Sequence, residues 1–175
     1  MNQQALLDEF CAASECAQKH LTWLKREFCL PDSVLWPFGK SVLGLNRCRL
    51  STEGLYQPDM QGEKAIIVAE TFSDIPEKKI GIAEIIDLIA IPFTSRNRWF
   101  QRTNKAFILG LENLCNQNPG NQIVLHETPL TWLQAGGNGL CILDHGAVDP
   151  WAIIRSDDVV VENAALLQTF FKRAV

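Results

Sequence analysis

The stretch Gln122-Ile-Val-Leu-His126-Glu-Thr-Pro129-Leu-Thr-Trp-Leu-Gln-Ala135-Gly-Gly-Asn-Gly-Leu140-Cys-Ile-Leu-Asp144 decides the fold class. Gln122 to His126 carries an apolar, β-branched run. Thr128 stands where a helix is capped, Pro129 takes a first helical position with its φ already set, and Gly136-Gly137 supplies the left-handed backbone that stops a helix. Leu140 to Asp144 is apolar again, so the stretch predicts strand, helix and strand, joined as a right-handed crossover between parallel neighbours. The alternation continues downstream. Val148 to Ile154 reads as a helix, Val159 to Val161 as a strand and Asn163 to Arg173 as a helix, which makes a short C-terminal βαβαβα section.

Upstream the character changes. Ala65 to Ala69 and Ile85 to Ile91 are β-branched runs bounded by turn residues, the pattern of strands buried on both faces. Arg98 to Arg102 alternates and extends the same sheet as an antiparallel meander, and Lys105 to Asn116 reads as a helix closed by Asn118-Pro119-Gly120. Val34 to Tyr56, punctuated by Pro37, Gly39, Gly44 and Gly54, reads as turns and short strands. At the start, Leu6, Leu7, Phe10, Ala13, Ala17, Leu21, Leu24 and Phe28 recur at spacings of three and four and predict one long amphipathic helix over 4–28, ended by Leu30-Pro31-Asp32. The expected fold is mixed α/β in a single domain over 1–175: a long N-terminal helix, antiparallel middle strands and the βαβαβα section.

With 47% hydrophobic and 21% charged residues, the chain falls outside the collagen-like, disordered and disulfide-stapled classes. Its longest apolar stretch, Ile80 to Phe93, is interrupted by Glu84 and Asp87 and is too short to span a bilayer, so no membrane association is expected. The first nine residues show neither a basic n-region nor an apolar h-region. A cytoplasmic location is therefore expected, with the six cysteines, none paired as C-x-x-C, present as reduced thiols that mostly fill core positions. The net charge of −4 argues against a generally basic nucleic-acid coat. Its distribution is polarised, because Glu53 to Asp87 holds eight acids against three lysines, while Arg96 to Lys105 holds four basic residues and no acid.

Two groups of residues suggest chemistry. If the three C-terminal strands are parallel, their carboxyl ends share one edge, where open α/β sheets bind ligands. That edge would gather His126 and Glu127, then Asp144 and His145, then Glu162 and Asn163, which are groups suited to general acid–base work or to a divalent metal. The second is the run Arg96, Arg98, Trp99, Phe100, Arg102 and Lys105, where guanidinium groups and aromatic rings interleave as phosphate contact and base stacking require. Weaker patterns fall away. Cys16 and His20 supply only two of the four ligands of a structural zinc site, Gly136 to Gly139 precedes a strand where a phosphate loop precedes a helix, and Gly39-Lys40-Ser41 lacks the upstream glycine of a P-loop.

Ile66-Ile67-Val68-Ala69-Glu70-Thr71-Phe72-Ser73-Asp74 resembles the first motif of Toprim domains, in which an apolar strand ends in a glutamate and an acid follows four residues later. The family has glycine where Thr71 stands, and of its later Asp-x-Asp only Asp144-His145-Gly146 is present. The resemblance implies Glu70, Asp74 and Asp144 as ligands of Mg²⁺ for phosphoryl-transfer chemistry. Ile86-Asp87-Leu88-Ile89-Ala90, Arg98-Trp99 and Thr131 to Gly137 are also similar to small bacterial proteins found with mobile elements, a resemblance that brings no activity. The expected function is a non-catalytic binding or accessory protein without a cofactor, with nucleic acid or another protein as partner. The alternative is a Toprim-like enzyme acting on a phosphodiester or phosphorylated substrate, with Glu70, His126, Asp144, His145 and Glu162 as the catalytic candidates. A third reading has the acidic middle segment contact a basic partner.

Overall fold

A computed structural model describes residues 2–35, 43–72, 84–115, 122–149, 153 and 159–162. The two β-branched runs form its central strands, β3 (Glu63–Phe72) and β4 (Glu84–Pro92), paired antiparallel from Ala65 opposite Pro92 to Phe72 opposite Glu84, with a register shift between Glu70 and Thr71. β1 (Leu43–Leu50) and β2 (Tyr56–Pro58) add to one side, and the two-residue β5 (Phe100–Gln101) to the other, giving the order β2-β1-β3-β4-β5. Every neighbouring pair is antiparallel, so the meander read from the sequence is present.

Both faces of this sheet are covered, which is why Ala65 to Val68 and Leu88 to Ile91 are continuously apolar. One face packs Ala65, Ile67, Leu88 and Ala90 against Leu6 and Ala13 of α1 (Gln3–Gln18). The other packs Ile66, Val68, Ile89 and Ile91 against Leu24 and Phe28 of α2 (Leu21–Phe28) and against Leu130 and Leu133 further along the chain. The single helix over 4–28 is thus corrected to two, and after Pro31 the chain makes one further helical turn, α3 (Asp32–Leu35). After Gln18 the amides of Lys19 and His20 bond three residues back, to Cys16 and Ala17, and His20 leaves helical geometry at φ −127°. The break lets one apolar periodicity serve two cores, with Leu6 and Ala13 in the first and Ala17, Leu24 and Phe28 in the second. A Cβ on Gly44 would stand 2.5 Å from that of Ala13, so glycine is what allows α1 to lie directly on β1.

The C-terminal section has the expected parallel core. β7 (Ile123–His126), α5 (Pro129–Gln134) and β8 (Leu140–Ile142) form the crossover, and β9 (Val159–Val161) pairs parallel on the other side of β7. Thr128 caps α5 in a capping box with Thr131, Pro129 opens the helix, and Gly136 and Gly137 adopt φ of 81° and 76°. The last expected helix and most of the preceding one lie outside the described residues.

The helix expected over 105–116 is corrected: β6 (Ile108–Leu109) pairs antiparallel with β8 and completes the order β6-β8-β7-β9, followed by a single turn, α4 (Glu112–Cys115). Two side chains explain the difference. Asp87 is fully buried, and its carboxylate accepts hydrogen bonds from the amides of Thr103, Lys105 and Ala106 at 2.9, 2.8 and 3.4 Å, besides that of Leu88. Glu70, opposite Asp87 in register, accepts from Gly110 and Leu111 at 2.8 and 3.2 Å. A helix over 105–116 would have spent the amides of Gly110 and Leu111 internally, whereas here Glu70 holds them, and Gly110 at φ 82° turns the chain where a Cβ would meet the Gly139 carbonyl.

Charge-assisted hydrogen bonds are worth about 1.5–3 kcal/mol each, and removing a buried acceptor strands its donors. Asp87→Ala should therefore lower unfolding free energy by about 3–5 kcal/mol in denaturant titrations. Asp87→Asn, which keeps one acceptor oxygen, should lose less. A loss under 1 kcal/mol for the alanine variant would contradict this role.

Candidate ligand cleft

Where β3 ends, Ala69, Glu70 and Thr71 line one depression, beside the register shift between Glu70 and Thr71 that skips Ile86 of β4. Phe10 of α1, Glu112 and Asn113 of α4, and Trp132 of α5 with Gly137 just beyond it complete a cleft of about 320 Å³. Its walls are held firmly. The Trp132 indole Nε1 donates to the Gly139 carbonyl at 3.0 Å, and the Asn113 amide donates to the carbonyls of Gly137 and Gly139 at 3.2 and 2.7 Å. The Thr71 hydroxyl donates to the Glu112 carboxylate.

Glu70 is the unusual group. It is 3% exposed, and burial pushes its carboxyl up to about 7; the amides of Gly110 and Leu111 pull the other way, and Glu112 adds to the rise. A carboxyl that changes charge near neutrality can both accept a proton and answer a positive charge.

The other residues read from the sequence are distributed as follows. His126 and Glu162 do meet across the parallel strand ends. His126 Nε2 donates to the Asn138 carbonyl at 3.0 Å, while its Nδ1 lies 3.4 Å from Glu162 Oε2 without hydrogen-bond geometry. Glu162 also accepts from the amide of Glu127. Asp144 does not join them, because its carboxylate accepts from Gly146 and Ala147 and closes its own turn, in which His145 is half-buried. Glu70 belongs to the cleft, and Asp74 and Asn163 lie outside the described residues. Among the described residues no three or more His, Cys, Asp or Glu side chains gather as a metal site.

The basic run is largely engaged by the protein itself. Arg96 pairs with Glu27 and lies over the Phe28 ring; Arg98 lies over the Phe100 ring. Arg102 pairs at 2.9 Å with Glu9, whose other oxygen accepts from the Tyr56 hydroxyl. Phe100 is 3% exposed, in the core under α1, and the Trp99 indole donates to the Leu143 carbonyl. Lys105 is exposed. The thiols differ in setting: Cys48 and Cys141 are core residues, whereas Cys11 and Cys29 are exposed and Cys16 is half-buried. Burial pushes the Cys48 thiol up to about 12, and Glu9 adds to this; burial with help from Glu162 raises that of Cys141.

As cleft residues, Phe10, Thr71, Glu112, Asn113 and Trp132 escaped the sequence reading. No single periodicity joins them, since they come from four separate elements. The readable signal was Asp87: a fully buried acid within an apolar run implies donors arriving from elsewhere in the chain.

The Glu70 carboxyl gives a measurable pH signature. Folded protein holds its proton to about pH 7, whereas the unfolded glutamate loses it near 4.5, so between these values the folded state binds more protons and stability falls as pH rises. The full effect is about 3 kcal/mol. Glu70→Gln removes it, and the stability of this variant relative to wild type should improve by roughly that amount across the window in urea unfolding. A difference that stays constant with pH would refute the assignment.

Compared with protein-family models, with curated proteins and with solved structures, the chain has no match in any of the three.

Proposed function

We propose that the protein is a non-catalytic binding module and that its ligand seat is the cleft at the end of β3. The observation that carries this reading is the cleft itself: about 320 Å³ of space with aromatic side chains and a few polar groups on its wall, the composition of small-ligand sites. Its polar groups are positioned in advance. Glu70 is held by two amides, Glu112 by Thr71 and Asn113 by two carbonyls, so a ligand would meet an ordered surface and incur little ordering cost.

This reading moves the seat away from the basic run. A polyanion would have to displace Glu27 from Arg96 and Glu9 from Arg102, and the Phe100 ring is occupied in the core. A Toprim-like metal centre has less support than the cleft. Asp144 closes its own turn away from Glu70, and among the described residues no three His, Cys, Asp or Glu side chains gather as a metal site.

The test is an amide-resolved NMR screen of small polar fragments. Binding should shift the signals of Thr71, Gly110, Glu112 and Gly137, and Thr71→Met, which fills the mouth of the cleft, should abolish those shifts. Shifts confined to Arg98 and Lys105 on adding a single-stranded oligonucleotide, with a silent cleft, would replace this reading by the nucleic-acid one.

A further inference from the structure

We infer that the group received by the cleft is a compact organic cation, an alkylammonium or alkylguanidinium; the inference rests on the cleft being the ligand seat. The lining supplies negative charge from two elements, Glu70 at the end of β3 and Glu112 on α4, and among its described residues there is no Lys, Arg or His. An anionic ligand would bring a third negative charge into a partly water-excluded space. A cation removes a repulsion that is already present.

The rest of the wall favours the same ligand. Phe10 and Trp132 contribute aromatic rings, whose quadrupoles attract ammonium and guanidinium groups. Each Glu70 oxygen accepts one amide hydrogen bond, and a carboxylate has about four acceptor positions, so acceptor capacity remains. A guanidinium, with five donors in a planar fork, suits two carboxylates better than a single polar hydrogen would. The cleft volume lies at the lower end of ordinary ligand pockets, which fits a short alkyl chain on the charged group.

The surroundings of Glu70 contain no hidden counter-charge among the described residues. From the segment after β6 it faces the amides of Gly110 and Leu111, from α4 the Glu112 carboxylate, and beside it the Thr71 hydroxyl. Opposite it on β4 stands Asp87, whose carboxylate is taken by four amides. A bound cation therefore acts mainly on the two glutamates. It favours the ionised form of Glu70, so a proton leaves as the ligand enters, and because that carboxyl changes charge at about 7 the affinity should rise about tenfold from pH 6 to pH 8.

The experiment is titration calorimetry on the full chain with n-butylguanidinium, its uncharged isostere n-butylurea, n-butyrate and MgCl₂ as probes, with the site confirmed by NMR. Butylguanidinium should shift the cleft amides, bind about tenfold or more tightly than butylurea, and release protons in buffers of different ionisation enthalpy. Glu112→Gln, at a half-buried position, should weaken it about threefold or more, and Glu70→Gln should flatten the pH dependence. If butylurea or butyrate binds in the cleft as well as the guanidinium does, the cation is overturned while the cleft stands as the seat. Heat from Mg²⁺ with none from butylguanidinium also overturns it. If no probe moves a cleft signal, the cation falls, and the cleft falls with it only if the fragment screen is blank too.

Discussion

The structure depends on two buried carboxylates standing opposite each other on the central strands. Asp87 on β4 and Glu70 on β3 point to the same side of the first sheet, and between them they hold the amides of Thr103, Lys105, Ala106, Gly110 and Leu111, at the two ends of the connection that carries the chain into the second sheet. Burying a carboxylate is costly unless donors surround it. That cost fixes the geometry, because the connection can lie in only one place if its amides are to reach both acids. β6 forms between the two anchor points, and the second sheet docks on the first in the position this dictates.

Other parts of the fold follow from the same arrangement. The face of the first sheet that carries the acids also carries Ile66, Val68, Ile89 and Ile91, which share one core with α2, α5 and Leu143 beyond β8. The opposite face is closed by α1, clasped to the sheet through Glu9, Arg102 and Tyr56. Burial, with Glu9 adding to it, raises the Tyr56 hydroxyl well above its usual range, so it stays a proton donor to that carboxylate at any physiological pH. The run that reads in sequence as a nucleic-acid surface is largely the seam between α1, α2 and the sheet.

The sequence was informative wherever structure is set by neighbours along the chain. Thr128, Pro129 and Gly136-Gly137 specify α5 by capping chemistry alone, and β3 and β4 announce themselves by length and branching. It misled where a distant group intervened. Residues 105–116 have the spacing of a helix, yet Glu70 takes the amides of Gly110 and Leu111 that such a helix would use, and the N-terminal periodicity continues through a break that it cannot register. Of the cleft only Glu70 was readable, as an acid ending an apolar strand. Its partners converge from α1, α4 and α5, and no spacing rule relates Phe10 to Glu112 or Trp132.

The contrast between the two acids explains why the open site lies at Glu70 and not at Asp87. Both are almost wholly buried and both bind backbone amides, but Asp87 receives four and Glu70 two. The chain after β5 wraps over Asp87, whereas Glu70 lines the cleft, with Glu112 as a like charge nearby. Fewer donors and a like charge leave the ionised form of Glu70 under-compensated, and in a low-dielectric site that deficit is met by a proton or by a positive group from outside. Of the two buried acids, the one with fewer donors is therefore the one that lines the cleft, and the carboxyl that fixes the turn after β6 is the one left able to respond to a ligand.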